Sequence, residues 1–241
     1  MKNIALVLSG GTGTRLGGDI PKQYIKAKGR MLIAFCLDMF AGHEQVDGIW
    51  IVAAKEWRES ITGECERLGI DTGKIKGFSD PGDTRQLSIY NGIKDIEDFL
   101  GTKRSDIDDV AVIIHDAARP NLTGDYLSLC LDAIKDNDGV MPVLPMKDTV
   151  YYSESGKKVD RLLDRKCIFA GQAPEIYRLG VYIEANERLL PDEILKINGS
   201  TEPAVMAGLK VAMIPGDENN YKVTTKKDLE RFLLDDEGTR S

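Results

Sequence analysis

The sequence predicts an α/β protein in which a mostly parallel sheet is covered by helices on both faces. Three observations lead to this fold class. Short apolar runs alternate with stretches of helical periodicity along the chain. The apolar runs lack polar alternation, which is typical of strands buried on both faces. The first run ends in a glycine-rich loop, and ligands bind such sheets at the carboxyl ends of the strands.

Four apolar runs are predicted to be strands, and four amphipathic stretches are predicted to be helices. The strands cover residues 4–8, 49–53, 110–114 and 139–143. The helices cover residues 31–40, 55–68, 87–99 and 125–136. A strand at residues 209–214 and a helix at residues 225–234 follow, and the polar tail at 235–241 is expected to fray. The repeated strand–helix order implies crossover connections between parallel strands.

The alternation breaks at about residues 146–166, where two β-type segments flank a Ser/Gly turn. Residues 149–152 and 158–162 are the predicted strands of this hairpin. We expect a β-arm that protrudes from a single domain spanning residues 1–241. A two-stranded hairpin is marginally stable in water, so we expect the arm to pack on a second subunit. The alternative is a flexible insertion.

The composition is that of an ordinary globular protein. Hydrophobic residues make up 42% and charged residues 29% of the 241 residues, and the net charge is −7. This acidic balance argues against a nucleic-acid partner. We expect a cytoplasmic protein without membrane contact, because no apolar run approaches the roughly 20 residues of a membrane span and no secretory signal precedes the first strand. The four cysteines lack metal-site spacing and are expected to be reduced.

A glycine-rich segment directly after the first strand indicates a nucleoside triphosphate site. The segment reads Leu8, Ser9, Gly10, Gly11, Thr12 and Gly13, with Arg15 and Lys22 close behind. Glycines let backbone N–H groups approach a phosphate closely, and the two cations offset its charge. The segment has neither the Gly-Lys-Ser/Thr ending of a P-loop nor the third glycine of the dinucleotide fingerprint. The alternative is a glycine-rich surface turn.

A second motif supplies a carboxylate at the end of the third predicted strand. His115 and Asp116 follow that strand, and Arg119 lies in the same loop. A carboxylate beside a triphosphate is well placed to hold Mg²⁺, and an arginine can fork onto phosphate oxygens. The alternative for Asp116 is a turn or helix cap. For His115, a structural role at the strand end is at least as well supported as a role as a base, because phosphate oxygens need no base to attack.

A third motif opens a helix and is a candidate wall for a base or a sugar. Gly82, Asp83, Arg85 and Ser88 belong to it, and Asp83 or Thr84 is the candidate helix cap. Farther along the chain, Thr149, Arg165 and Lys222 are candidates that sequence patterns alone do not separate from surface residues.

Seven motifs, taken together and in this order, resemble one family. They lie at residues 9–15, 21–24, 83–85, 91–93, 115–120, 171–175 and 222–224. The chain resembles the polyol-phosphate cytidylyltransferases over nearly its whole length. One branch of this family makes 4-diphosphocytidyl-2-C-methyl-D-erythritol for isoprenoid synthesis. The other branch makes CDP-ribitol for wall teichoic acids.

The resemblance implies a Rossmann-like nucleotidyltransferase fold and a homodimer locked by the β-arm. It implies transfer of CMP from CTP to a polyol phosphate with release of pyrophosphate. Arg15 and Lys22 would stabilise the α-phosphate in the transition state, and Asp116 would help to hold Mg²⁺. The residues implied in CTP binding are Leu8, Ser9, Gly10, Gly11, Thr12, Gly13, Gly82, Asp83, Arg85 and Ser88. Those implied in positioning the acceptor phosphate are Thr149, Arg119, Lys222 and Arg165, the last of which is a candidate for the partner subunit's site.

The acceptor stays open between the two branches. Residues 10–13, 55–57 and 171–172 are similar to the ribitol branch, whereas residues 85–92 are similar to the methylerythritol branch. Residues 173–175 read Ala-Pro-Glu where Thr-Pro-Gln is usual, and residues 200–203 read Ser-Thr-Glu-Pro where Thr-Asp-Asp/Glu-Ala is usual. We predict D-ribitol 5-phosphate as the acceptor, with 2-C-methyl-D-erythritol 4-phosphate as the alternative. Two further alternatives are a different nucleotide donor and a nucleotide-binding scaffold without activity.

Overall fold

A central sheet and the helices around it account for most of the protein. The computed structural model describes residues 1–11, 20–101, 107 and 109–235. The strands are β1 (Lys2–Leu8), β2 (Lys26–Ala27), β3 (Arg30–Met31), β4 (Gly48–Val52), β5 (Ile75–Ser79), β6 (Val110–Asp116), β7 (Gly139–Pro145), β8 (Tyr151–Tyr152), β9 (Arg161–Leu162), β10 (Phe169–Gly171), β11 (Glu175–Arg178) and β12 (Val211–Pro215). The helices are α1 (Leu32–Gly42), α2 (Lys55–Leu68), α3 (Arg85–Leu100), α4 (Gly124–Ala133), α5 (Leu179–Glu187), α6 (Glu202–Met206) and α7 (Lys226–Leu234).

Parallel pairing dominates the sheet, as predicted. Strands β5, β4, β1 and β6 are parallel neighbours in that order. Strand β11 lies antiparallel between β6 and β7, and β7 also pairs with β10 and β12. The register sets Leu8 opposite Val52 on one side and Asp116 on the other. The carboxyl ends of β1, β4 and β6 therefore meet at one edge of the sheet.

Helices cover both faces of the sheet because successive residues of its strands point in opposite directions. Ala5 and Val7 of β1 belong to a core that includes residues of α1, α2 and α4. Ile4 and Leu6 belong to a second core with α3 and α5. The predicted boundaries of α2 match the observed ones, and those of the other predicted helices differ by at most three residues. Helix α3 starts earlier than predicted, at Arg85, because the Thr84 side chain caps it by accepting a hydrogen bond from the Leu87 N–H.

The main elements that the sequence patterns missed are short or atypical. Strand β5 contains Lys76 and Gly77, and a Cβ atom at Gly77 would lie 2.3 Å from the Trp50 ring. The glycine is therefore needed for packing, although it disrupts the strand pattern. Strands β10 and β11 have three and four residues. Runs of this length carry too little periodicity to be recognised.

The arm is present as a hairpin whose two strands lie apart from the central sheet. Strands β8 and β9 pair antiparallel, with Tyr151 opposite Leu162. Both side chains are more than half exposed. This pairing lies in the predicted segment, but each strand has two residues where four or five were predicted, and apolar side chains are exposed on it.

Cys36, Cys65 and Cys130 are buried, Cys167 is exposed, and all four are free thiols. Burial of Cys36 and Cys130 agrees with the packing role expected for them. Among the described residues, no helix is both long and apolar enough to cross a membrane.

Helix α7 closes the fold near the cavity described below. Its Phe232 is fully buried and packs edge-on against Phe35 of α1, with the ring centroids 5.0 Å apart. Val223 belongs to the same small core. A capping box between Thr225 and Asp228 fixes the start of the helix.

We expect Phe232→Ala to lower the free energy of unfolding by about 3 to 4 kcal/mol, because it leaves a cavity in this core. Leu234→Ala is the matched control on the same helix, since Leu234 is 83% exposed, and its effect should stay within about 0.5 kcal/mol. Urea denaturation measures both values. Equal effects of the two substitutions would contradict the packing role of α7.

Candidate active site

A cavity of about 490 Å³ opens where β1, β4 and β6 end. Ten of the predicted site residues line it: Leu8, Gly10, Gly11, Lys22, Gly82, Asp83, Arg85, Ser88, Asp116 and Lys222. Its volume falls within the range of small-molecule sites, about 300 to 1,000 Å³. The structure thus brings together motifs that are far apart in the sequence.

The glycine loop is held by side chains from the segment that follows it. Gln23 Nε2 donates to the carbonyl oxygens of Ser9 and Gly11, at 2.5 and 2.7 Å. The Tyr24 hydroxyl donates to the Ser9 carbonyl at 2.9 Å, and Ser9 Oγ donates to the Val52 carbonyl at 2.8 Å. The carbonyl oxygens of Ser9 and Gly11 thus accept hydrogen bonds from side chains of the protein, and these bonds fix the conformation of the loop. The predicted residues Thr12, Gly13 and Arg15 lie outside the described residues.

The turn before α3 forms another wall of the cavity. Ser88 Oγ accepts a hydrogen bond from the Gly82 N–H at 3.0 Å and donates to the Thr84 carbonyl at 2.9 Å. A Cβ atom at Gly82 would lie 2.5 Å from the Leu87 side chain and 2.9 Å from its backbone. The turn therefore packs too closely for any residue but glycine at position 82, and it holds Asp83 and Arg85 at the cavity surface.

Asp116 is the centre of charge in the site. Its carboxylate lies 2.9 Å from Lys222 Nζ, 3.4 Å from Arg85 Nη2 and 3.5 Å from Arg119 Nε. Burial by itself would raise the pKa of Asp116, but the charges of Arg85, Lys222 and Arg119 outweigh burial and hold its pKa well below its usual range. Asp116 is thus an ionised carboxylate in a largely buried position, and its partners are three cationic side chains.

The segment before α7 places one lysine, Lys222, at Asp116 and provides a backbone acceptor for another, Lys22. Lys222 reaches Asp116, and Lys22 Nζ donates to the Val223 carbonyl at 3.0 Å. The Val223 N–H in turn donates to the Ala118 carbonyl at 2.8 Å, in the loop after β6. Lys22 and Lys222 both line the cavity as a result.

Arg119 and His115 support this loop from below. Arg119 Nη1 donates to the Asn220 carbonyl at 2.8 Å, and Arg119 is not part of the cavity lining. His115 Nε2 lies 3.0 Å from the Arg119 carbonyl. Burial lowers the pKa of His115 to about 4, so its ring is neutral near pH 7 and donates to that carbonyl. This geometry agrees with the structural role considered for His115.

Thr149 and Arg165 are not brought to the cavity of the same protomer. Both are exposed and belong to the arm. Arg165 Nη1 donates to the Lys147 carbonyl at 2.8 Å, which ties it to the base of the arm. Their predicted contact with the acceptor phosphate stays a prediction.

Other residues of the site were not predicted as such. Gln23, Thr84 and Ala118 line the cavity and lie within the quoted motifs, whereas Val52, which also lines it, lies outside them. Val52 ends the strand beside β1, so the rule that ligands bind at strand ends could have found it. Ser200 and Glu175 lie next to Arg85, at 2.7 and 4.0 Å. Their only signal in the sequence was that both segments depart from the usual family pattern.

Comparison with known proteins identifies the family of this site. The family model described as IspD, 2-C-methyl-D-erythritol 4-phosphate cytidylyltransferase, matches residues 3–234. The chain belongs to this family. It is therefore a cytidylyltransferase with the fold of this family, as the motifs predicted.

Curated relatives carry the names of both branches of the IspD family. A 2-C-methyl-D-erythritol 4-phosphate cytidylyltransferase from Rubrobacter xylanophilus is 33% identical, and the alignment covers 94% of this chain and 91% of the relative. A ribitol-5-phosphate cytidylyltransferase from Streptococcus agalactiae is 26% identical, with 96% of this chain and 94% of the relative covered.

Solved structures agree with this assignment. The 2-C-methyl-D-erythritol 4-phosphate cytidylyltransferase of Francisella tularensis has a TM-score of 0.78 and 25% identity, over 96% of this chain and 98% of that chain. The 4-diphosphocytidyl-2C-methyl-D-erythritol synthase of Anaerococcus prevotii has a TM-score of 0.79 and 23% identity, over 96% and 94% of the two chains. The latter likeness concerns the fold alone.

The two glycines of the loop provide a matched pair for a stability test. A Cβ atom at Gly10 would lie 2.4 Å from Pro81 Cβ, whereas no described atom lies within 4 Å of one at Gly11. We expect Gly10→Ala to lower the free energy of unfolding by about 1 to 3 kcal/mol through overpacking. Gly11→Ala should change it by less than about 0.5 kcal/mol. Thermal or urea unfolding of the protein without nucleotide measures both, and a tolerated Gly10→Ala would contradict the close packing of the loop on Pro81.

Proposed function

We propose that this IspD-family member transfers CMP from CTP to a polyol phosphate and releases pyrophosphate. The observation that supports this best is the cation group around Asp116. Lys222 and Arg85 pair with this carboxylate, and both line a cavity bounded by a glycine loop. Backbone N–H groups and cations in one cavity are what a triphosphate requires.

In the proposed reaction, a phosphate oxygen of the acceptor attacks the α-phosphorus of CTP in line, and the bond to pyrophosphate breaks. The attacking phosphate is already anionic near neutral pH, so the protein contributes by positioning and electrostatics. Lys22 at the cavity wall, with Arg15, is the proposed stabiliser of the α-phosphate. Lys222 is proposed to position the acceptor phosphate, with Arg119 supporting the loop around it. Gly82, Asp83 and Ser88 form the proposed wall for the nucleotide.

The donor set at Asp116 fits a divalent cation such as Mg²⁺. No cluster of three metal-binding side chains occurs in the described part of the chain. One carboxylate is nevertheless sufficient for Mg²⁺, which usually keeps waters and binds substrate phosphates besides one or two carboxylates. When bound, the ion would neutralise phosphate oxygens of CTP.

We propose 2-C-methyl-D-erythritol 4-phosphate as the acceptor. The sequence motifs favoured ribitol 5-phosphate, but the comparisons support the methylerythritol branch at least as strongly. The matching family model carries that name, and two relatives with it are 33% and 29% identical, against 26 to 27% for those named for ribitol 5-phosphate. Ribitol 5-phosphate remains the second candidate, since its relatives align over the same length. Isoprenoid or teichoic acid synthesis in the cytoplasm, where CTP is available, is the corresponding proposed setting.

The function is tested by pyrophosphate release with CTP, Mg²⁺ and each of the two polyol phosphates. We expect kcat/KM to differ by about a hundredfold between them, which corresponds to about 2.7 kcal/mol of differential transition-state binding. Turnover with ribitol 5-phosphate alone would contradict the proposed acceptor. Turnover with neither acceptor, while CTP binds, would support an inactive scaffold.

Two cavity lysines test the mechanism. We expect Lys22→Ala and Lys222→Ala each to lower kcat by about 10² to 10³, because each removes a charge aimed at a phosphate in the transition state. Lys226→Ala is the control, since this lysine is exposed on α7. Steady-state pyrophosphate release measures all three, and turnover like that of the wild type in either cavity variant would refute the assigned role.

We further propose that the arm joins two copies of the chain. Tyr151, Tyr152, Val159 and Leu162 expose apolar side chains on a hairpin that has only two strands. A second copy would cover this surface and stabilise the hairpin. It would also bring Thr149 and Arg165 of one copy to the cavity of the other copy.

Leu162→Glu should convert the proposed dimer into a monomer, because it places a charge in the apolar contact. Val205→Glu is the matched control, since Val205 on α6 is 63% exposed and Leu162 is 62% exposed. Sedimentation velocity measures the mass of each variant. A monomeric wild type would contradict the dimer, and a dimeric Leu162→Glu variant would contradict the arm as its interface.

A further inference from the structure

Glu175 is a largely buried acid to which the proposed reaction gives no role. It begins β11 and pairs with Ile114, which lies two residues before Asp116 on β6. The side chains of Glu175 and Asp116 therefore leave the same face of the sheet. They are 12% and 10% exposed. Burial raises the pKa of Glu175 above its ordinary value, and the charge of Arg85 opposes that rise. A carboxylate at this depth is stable only with partners.

Arg85 connects the two carboxylates. Its Nη2 lies 3.4 Å from Asp116 Oδ1 and 4.0 Å from Glu175 Oε1. Its Nη1 donates to Ser200 Oγ at 2.7 Å. The guanidinium is thus shared between two carboxylates and a hydroxyl. The Arg85 side chain stays 35% exposed and lines the cavity.

The second carboxylate determines how strongly Arg85 is drawn to Asp116. Lys222 and Arg119 already face Asp116, so its negative charge is shared among three cations. Without the charge of Glu175, Arg85 would have Asp116 as its sole carboxylate partner among the described residues. The attraction to Asp116 would no longer be balanced, and it would shift the guanidinium from its present position in the cavity wall toward Asp116.

We propose that Glu175 is a positioning residue that holds Arg85 at the cavity wall, where it can meet an anionic nucleotide. This inference rests on the proposed role of the cavity in CTP binding.

Two neighbours of Glu175 provide variants that test this role. Thr201 Oγ1 lies 3.5 Å from Glu175 Oε2, and the Tyr177 hydroxyl donates to the same oxygen at 3.3 Å.

The key variant is Glu175→Gln, which keeps the size of the side chain and removes its charge. We expect the Kd and KM for CTP to rise about tenfold, because the ion pair with Glu175 that holds Arg85 is lost. The melting temperature should change little, since a neutral amide is cheaper to bury than a carboxylate. The kcat at saturating CTP should fall by a smaller factor than the rise in KM.

The decisive comparison is the double variant Glu175→Gln, Thr201→Asp. It returns a carboxylate to a position beside the lost one, so we expect it to recover most of the affinity for CTP. Tyr177→Phe is the control, because it removes a hydrogen bond to the same oxygen and leaves the charge, and it should bind CTP like the wild type. A role in packing alone would not be rescued by a charge on a neighbouring residue.

Isothermal titration with CTP and Mg²⁺, without acceptor, measures the four Kd values. An unchanged Kd in Glu175→Gln, or a loss that the double variant does not recover, would overturn the positioning role and leave the proposed function intact. Absence of turnover with both polyol phosphates, together with the expected Kd values, would overturn the proposed function alone. Absence of CTP binding by the wild type would overturn both.

Discussion

The ion group at Asp116 is the interaction on which the site depends. Arg85 comes from α3, Arg119 from the loop after β6, and Lys222 from the segment before α7. These three cations repel one another, and the carboxylate between them offsets that repulsion. The same cations keep Asp116 ionised, although burial alone would favour its protonated form. Anion and cations therefore require one another, and the positive charge is in place before any phosphate arrives. Such preorganisation avoids a reorganisation cost during the reaction.

Two features of the fold assemble this group: the register between β1 and β6, and the contact of the segment before α7 with the loop after β6. Parallel pairing of β1 and β6 sets Leu8 opposite Asp116, so the glycine loop and the carboxylate leave the sheet at the same level. The segment before α7 then joins them, because the Val223 N–H bonds the Ala118 carbonyl while the Val223 carbonyl accepts from Lys22. Phe232 anchors this segment in its own small core. The last helix is thus part of the support of the site, although it touches no residue of the glycine loop in the described contacts.

Much of this arrangement was predictable from the sequence, because the strands and the loops that follow them have local sequence signals. Strands β1, β4, β6 and β7 are apolar runs; the glycine loop follows β1, and Asp116 ends β6. The pairing of Lys222 with Asp116 was not predictable from pattern, because it depends on where the chain returns after β12. The contacts of Arg85 with Glu175 and Ser200 were missed for a similar reason. It depends on β11, a four-residue antiparallel strand between β6 and β7, and such a strand has too little periodicity to signal its place.

The two segments that depart from the family pattern meet in the folded protein. The family resemblance implies a glutamine in place of Glu175 and an acid in place of Thr201. Thr201 Oγ1 lies 3.5 Å from Glu175 Oε2, so the gained carboxylate lies beside the position of the missing one. Electrostatic attraction depends on distance and not on sequence position, and Arg85 keeps a second carboxylate near it. The two departures therefore compensate each other in charge. What changes is the strand from which that charge is presented, because β11 packs directly against the strand that carries Asp116, whereas residue 201 precedes the short helix α6.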